Sequence, residues 1–172
     1  QQKNYLKANK MGKEIKLPRN DQTKIRQRFS AYCNADRKLD LIEKQFRTCC
    51  GFSFVMFAIF SYGMMEPLAL RELVSESFIT AVQLSLLVGV GFAIYLQDKK
   101  NKTTNDRFNF SNELQQTWGL MVDPDDDDNY NVTMATGEIE GRWQIIEIDL
   151  MSEDSYQDLS PENWVKIRSS LP

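Results

Sequence analysis

A chain of 172 residues with 21 Lys/Arg, 24 Asp/Glu and no histidine is long enough for one small domain, or for a membrane unit with soluble extensions. The missing histidine removes Ser-His and Cys-His nucleophile pairs, imidazole metal ligands and His-ligated haem together. The net charge of −3 conceals three blocks, +8 over residues 1–48, −2 over residues 66–77 and −9 over residues 98–172, separated by uncharged runs.

The first nineteen residues, QQKNYLKANKMGKEIKLPR, carry six basic residues against one acid. A chain beginning at Gln is expected to be a processed or trimmed form. This stretch suits the start of a mature mitochondrial protein after presequence removal, or a cytosolic arm resting on anionic headgroups. About 47 mostly polar residues precede the first apolar run, which is not the layout of a secretory signal. Ile25, Phe29, Tyr32, Leu39, Ile42 and Phe46 recur at helical spacing with a break at Asp36. Asn20 or Asp21 is expected to cap that helix just after Pro18. Residues 1–47 are therefore expected to be a basic arm with an amphipathic helix.

Residues 48–97 are expected to be a transmembrane hairpin with spans at about 48–65 and 78–96. Each run is close to the ~20 residues that cross ~30 Å of hydrocarbon, and a bilayer demands helices because every backbone group must be satisfied locally. The second run places Ala81, Ser85, Gly89 and Ala93 at four-residue spacing, with Gly91 as a further small position. Such a stripe lets another backbone approach closely, and it is the expected helix-packing face. The polar groups within the runs are Ser53, Ser61, Tyr62, Thr80, Gln83 and Ser85, none ionisable at neutral pH, and neither run contains proline. Transport and proton relay normally need a buried charge or a broken helix, so a self-sufficient transport role is disfavoured.

Orientation follows from the flanking basic residues. Lys44 and Arg47 precede the first run, after Arg37 and Lys38. Lys99 and Lys100 follow the second, with Lys102 beyond, while the connecting loop holds only Arg71. The positive-inside rule then puts both termini in the cytosol or in a compartment descended from a bacterial cytosol, such as the mitochondrial matrix. Sequons at Asn101, Asn109 and Asn131 all fall in the tail, and on that side they are expected to stay unglycosylated.

The loop begins with Met65–Glu66–Pro67, a triplet that resembles part of the pore motif of the mitochondrial calcium uniporter family, Trp-Asp-(Ile/Val)-Met-Glu-Pro. Tyr62 and Gly63 stand where that motif has Trp and Asp, and Glu66 precedes Phe78 by about a dozen residues. The resemblance would imply a channel subunit lined by Glu66, Glu72 or Glu76, and it covers those three matching residues alone. A reading from the residues themselves is an interfacial turn. Pro67 opens a short helix with Leu70, Leu73 and Val74 on one side and Arg71 and Glu72 on the other, and Ser75 or Ser77 caps the second span.

Residues 98–172 are expected to be an acidic soluble tail. A short helix near 111–120 would take Ser111 as cap. A β-hairpin would pair residues 132–135 with 143–150 across a Gly-bearing turn. Ser160–Pro161 would start a final helix. So small a segment builds little core of its own and is expected to fold on a neighbour. An EF-hand count started at Asp127 puts Val132 where the loop needs glycine, so DPDDDDNY reads as a solvated acidic loop. Cys33, Cys49 and Cys50 have no metal spacing and read as plain thiols.

The expected fold is a mainly α membrane protein: a two-helix transmembrane hairpin preceded by an amphipathic helix and followed by a small α+β soluble tail. The expected role is a non-catalytic accessory subunit of a large assembly in the mitochondrial inner membrane, a respiratory-chain complex or the ATP synthase. A matrix-facing assembly factor of the same layout is the alternative. Expected partners are other subunits of that complex and a bilayer with anionic headgroups, with no nucleic acid, no small-molecule substrate, no cofactor and no metal.

Overall fold

The computed structural model describes residues 15–65, 76–125, 129–139 and 142–171. The chain is mostly helical with a small sheet. Strand β1 (Leu17–Pro18) and a 3-10 turn (Arg19–Asp21) lead into helix α1, Gln22–Met65, of 44 residues. Helix α2 spans Glu76–Glu113, 38 residues, and closes in a π-helical turn at Leu114–Trp118. Strands β2 (Leu120–Pro124), β3 (Tyr130–Ile139) and β4 (Arg142–Glu147) form an antiparallel sheet in that order. A short β5 (Tyr156–Gln157) pairs in parallel with β1, Leu17 opposite Tyr156, and helix α3 (Pro161–Ser169) ends the chain.

Helix α1 carries the amphipathic arm unbroken through Asp36 and on through the first apolar run. Asp36 lacks the ring of proline and the backbone freedom of glycine, so propensity alone gives it little power to stop a helix. Likewise Ser111 is not a cap, because α2 runs straight through it. No glycine or proline stands between Gly91 and Gly119, so the helix continues to the first residue able to end it. Gly119 adopts φ +73°, and its N–H donates to the carbonyl of Gln115 at 2.9 Å, the left-handed closure that glycine makes without a Cβ clash.

The tail hairpin is present with one more strand than expected and a shifted turn. Gly137 pairs with Gln144 inside the ladder rather than at the bend, next to a register irregularity between Ala135 and Gly137. The second strand of the hairpin stops at Glu147, although Ile148 N–H still donates to Val132 O at 2.8 Å. The start of α3 is as expected. Ser160 Oγ accepts from Asn163 N–H at 3.3 Å, and Pro161 takes the first turn, where a missing N–H costs nothing.

The described residues divide into two compact units. The first joins residues 1–33 to residues 107–172, and the second is residues 34–106. The first unit corrects the expectation that the tail folds on a separate neighbour. Its core combines Leu17 and Ile25 from the start of the chain with Leu114, Trp118, Met134 and Trp164 from the end. All six are buried, and Phe29 and Ile167 pack against them. Nine of the eleven buried residues of this cluster lie in the tail, and Leu17 and Ile25 from the start of the same chain join them.

In the second unit α1 and α2 lie side by side. On α1, Ile42 is buried and Phe46, Cys49, Ser53, Met56 and Phe60 are half-buried. On α2, Val82, Gly89 and Leu96 are buried and Leu86 and Ala93 half-buried. Both sets step by three and four residues, the 3.5-residue period that keeps a seam facing its neighbour along a helix pair.

Candidate membrane and helix-packing site

The outer face of the second unit is apolar. Phe54 and Leu87 are each 72% exposed, and Phe57, Val88, Ile94 and Tyr95 are exposed with them. Water-soluble surfaces scatter such residues singly, whereas a continuous band of them marks a membrane or partner surface. Among the described residues one helix, Ser77–Trp118, is long and apolar enough to cross a membrane, and only 11% of its most apolar stretch is buried. The first run, 48–65, is not a second such helix among the described residues.

At Gly89 the two helices of this unit are in contact. The thiol of Cys49 reaches the Gly89 carbonyl at 3.4 Å, and a Cβ built on Gly89 would lie 2.6 Å from Ser53 Oγ. The other three members of the small-residue stripe contribute less. Ser85 and Ala93 are half-buried, and Ala81 is exposed. The reason is geometric. A four-residue step overshoots a 3.6-residue turn by about 40°, so a strict stripe winds off the contact face within three steps. Val82, Leu86 and Leu96 occupy the places that Ala81 and its row leave. Gly91 faces open space, with nothing within 4 Å of a Cβ there. Ser85 spends its hydroxyl on the Ala81 carbonyl at 2.8 Å, within its own helix.

The flanking basic residues are on the surface. Lys44 pairs with Asp40 at 2.7 Å and Arg47 with Glu43 at 3.2 Å, both across one turn of α1. Exposed pairs of this kind contribute little to stability. Lys99 Nζ sits 6.0 Å from the ring centre of Tyr95, a cation over an aromatic face at the edge of the apolar band, and Lys100 is half-buried. The triplet's Glu66 and Pro67, Glu72 and the whole expected interfacial turn lie outside the described residues, as do the side chains of Met65 and Glu76.

In the first unit Arg26, which no sequence motif singles out, stitches the beginning of α1 to the tail. Its guanidinium donates to the carbonyls of Leu150 at 2.8 Å and Met151 at 2.9 Å and to Glu153 Oε1 at 3.2 Å, and lies over the Tyr156 ring at 5.4 Å. Arg28 bonds Glu113 at 3.0 Å in the same manner. All of these partners are more than 80 residues away in the chain, which is why no local pattern betrays them. Among the described residues Cys33, Cys49 and Cys50 form no disulfide. Among the described residues no three of His, Cys, Asp and Glu gather into a group able to hold a metal ion.

Tyr156 carries the clearest electrostatic signature. Burial raises its phenol above the ordinary value of 10.0, against the smaller opposing pull of Arg26. Its hydroxyl donates to Leu150 O at 3.0 Å. A group whose pKa is higher folded than unfolded stabilises the fold fully below the unfolded value. That contribution disappears as pH rises through the folded value. The first unit is therefore expected to lose stability above pH ~10. In Tyr156→Phe that alkaline loss shrinks, while below pH ~10 about 1 kcal/mol goes with the hydrogen bond. Urea midpoints from pH 8 to 11.5 check this, and parallel curves for the two proteins would contradict it.

Comparison with protein families, with curated proteins and with solved structures finds no match for the chain.

Proposed function

We propose that the chain is a non-catalytic accessory subunit of a large inner-membrane assembly, a mitochondrial respiratory-chain complex or the ATP synthase. In this reading α1 and α2 both cross the bilayer, as a hairpin with both termini on the matrix side. The observation that carries the proposal is the exposed apolar band on both helices, Phe52 to Tyr62 on one and Phe78 to Tyr95 on the other. Residues 48–65 are uncharged and, as helix, span about 27 Å, close to the thickness of the hydrocarbon.

Basic residues flank both runs on the side of the termini and the loop between is acidic, which supports the orientation. The uncharged spans support a structural rather than a conducting role. Blue native electrophoresis of mild-detergent extracts, with mass spectrometry of the bands, tests the proposal. The chain is expected in one high-mass complex at fixed stoichiometry. Migration as a free monomer refutes the proposal, and presence only in partial assemblies makes it an assembly factor. Protease added to intact inner-membrane vesicles with the matrix side enclosed should leave both termini uncut, and the three sequons should carry no glycan.

A further inference from the structure

One side of the helix pair carries a groove that changes character along its length. Its apolar part, of about 880 Å³, is lined by Cys49 and Phe52 of α1 and by Leu84, Val88, Gly89 and Phe92 of α2. A second hollow of about 490 Å³ is lined by Lys38, Leu41, Gln45, Lys99, Lys102 and Asp106. Gln45 lines both. On α1, Lys38, Gln45, Cys49 and Phe52 succeed one another by seven, four and three residues. On α2, Lys102, Lys99, Phe92 and Val88 do so by three, seven and four. Steps of three, four and seven keep a residue on one helix face, so the two hollows are halves of a single groove.

We propose that this groove holds one anionic glycerophospholipid, its acyl chains against Phe52, Leu84, Val88 and Phe92 and its phosphate among Lys38, Lys99 and Lys102. The proposal rests on the membrane reading above and names a ligand for it. Three ammonium groups face one carboxylate, Asp106, at the polar end, and among the described residues none of the three makes an ion pair. A basic hollow between helices on the matrix side is suited to an anionic headgroup. Length separates a lipid from a partner helix. The lining runs about 21 Å along α1, Lys38 to Phe52, and about 33 Å along α2, Asp106 to Leu84, of which about 18 Å, from the end of the apolar run at 96 to Leu84, lies within the ~30 Å of hydrocarbon. A groove one leaflet deep fits a lipid; a transmembrane partner would need a seam along the whole hydrocarbon. Lys44, on the rim, is already engaged by Asp40 at 2.7 Å and serves as a secondary contact.

The test uses the full chain in dodecyl maltoside, titrated with dioleoyl-phosphatidylglycerol or dioleoyl-phosphatidylcholine and read by native mass spectrometry. Phosphatidylglycerol is expected to be retained on the order of tenfold more tightly. Lys38→Gln with Lys102→Gln should abolish that preference, whereas Lys24→Gln with Lys166→Gln, equal in charge and outside the groove, should keep it. Val88→Trp, at a position 68% exposed, should fill the apolar half and weaken both lipids. Equal retention of the two lipids, equal loss in the two lysine pairs, or undiminished binding by Val88→Trp overturns the proposal. Carbonate-resistant flotation of the unmutated chain with phosphatidylcholine vesicles is run beside it. Failure to float refutes the membrane reading itself, while flotation without lipid preference refutes only the groove.

Discussion

Replacing Trp118 with alanine is expected to destabilise the first unit by roughly 3–5 kcal/mol, the range for deleting a large buried aromatic. That is a large part of the ~5–15 kcal/mol that holds a domain together. Trp118 is 3% exposed and sits in the cluster that joins Leu17 and Ile25 to Leu120, Met134 and Trp164. Its indole N–H donates to Asp21 Oδ2 at 3.2 Å, across the junction of the two chain segments. The substitution leaves a cavity at that junction and removes the donor from a carboxylate already shared with Lys24 at 3.9 Å. Urea unfolding followed by the fluorescence of the remaining tryptophans measures the effect. The Asp21→Ala variant, which loses the bond and keeps the packing, should lose only about 1 kcal/mol. A Trp118→Ala loss below that of Asp21→Ala would show that the core does not depend on this residue.

The second large effect is expected at Gly89. A methyl group there lies 2.6 Å from Ser53 Oγ and 3.7 Å from Ser53 Cβ. The hydroxyl is a single atom on one torsion, so Gly89→Ala is relieved in part by rotation, and overpacking of this kind costs ~1–3 kcal/mol. Gly89→Leu has no such relief and should separate the helices. Ser53 Oγ is buried without a hydrogen-bond partner among the described residues, so Ser53→Ala alone loses little. Combined with Gly89→Ala it should restore most of the stability, since the clash needs both groups. Reaction of Cys49 with a maleimide dye during heating in detergent reports the separation. Gly91→Leu, whose Cβ meets nothing within 4 Å, is the matched control. Equal melting of Gly89→Leu and Gly91→Leu would remove the assigned contact.

These two sites mark what could be read in advance and what could not. Gly89 was visible as one of four small residues in register, yet Ala81, its stripe mate, is exposed. Four-residue spacing is a property of the sequence, whereas the face that touches the neighbour follows the 3.5-residue seam of the pair. Lys44, Arg47, Lys99 and Lys100 were legible as flanks because charge is a local property. Their division into ion-paired Lys44 and Arg47 and ring-stacked Lys99 depends on rotamers and one-turn neighbours. The α3 start at Ser160–Pro161 was readable since a cap and a first-turn proline act over three residues. The end of α2 was not: Ser111 offered a plausible cap, and only continued helical hydrogen bonding to Gly119 decided against it.

Sequence alone determined the uncharged runs, the sign of charge at each end, the helical character of residues 22–65 and the final helix. Each of these depends on spacings within a few residues, and physics at that range is encoded locally. Tertiary structure decided that Leu17 and Ile25 complete the core of a tail more than 80 residues away, that Arg26 clasps Leu150 and Met151, and that Gly89 rather than Ala81 meets the facing helix. The core contacts form because burying apolar area stabilises whichever surfaces the chain can bring together, and the Arg26 hydrogen bonds follow from the same placement. Which surfaces meet is a property of the whole fold, and no window of the sequence contains it.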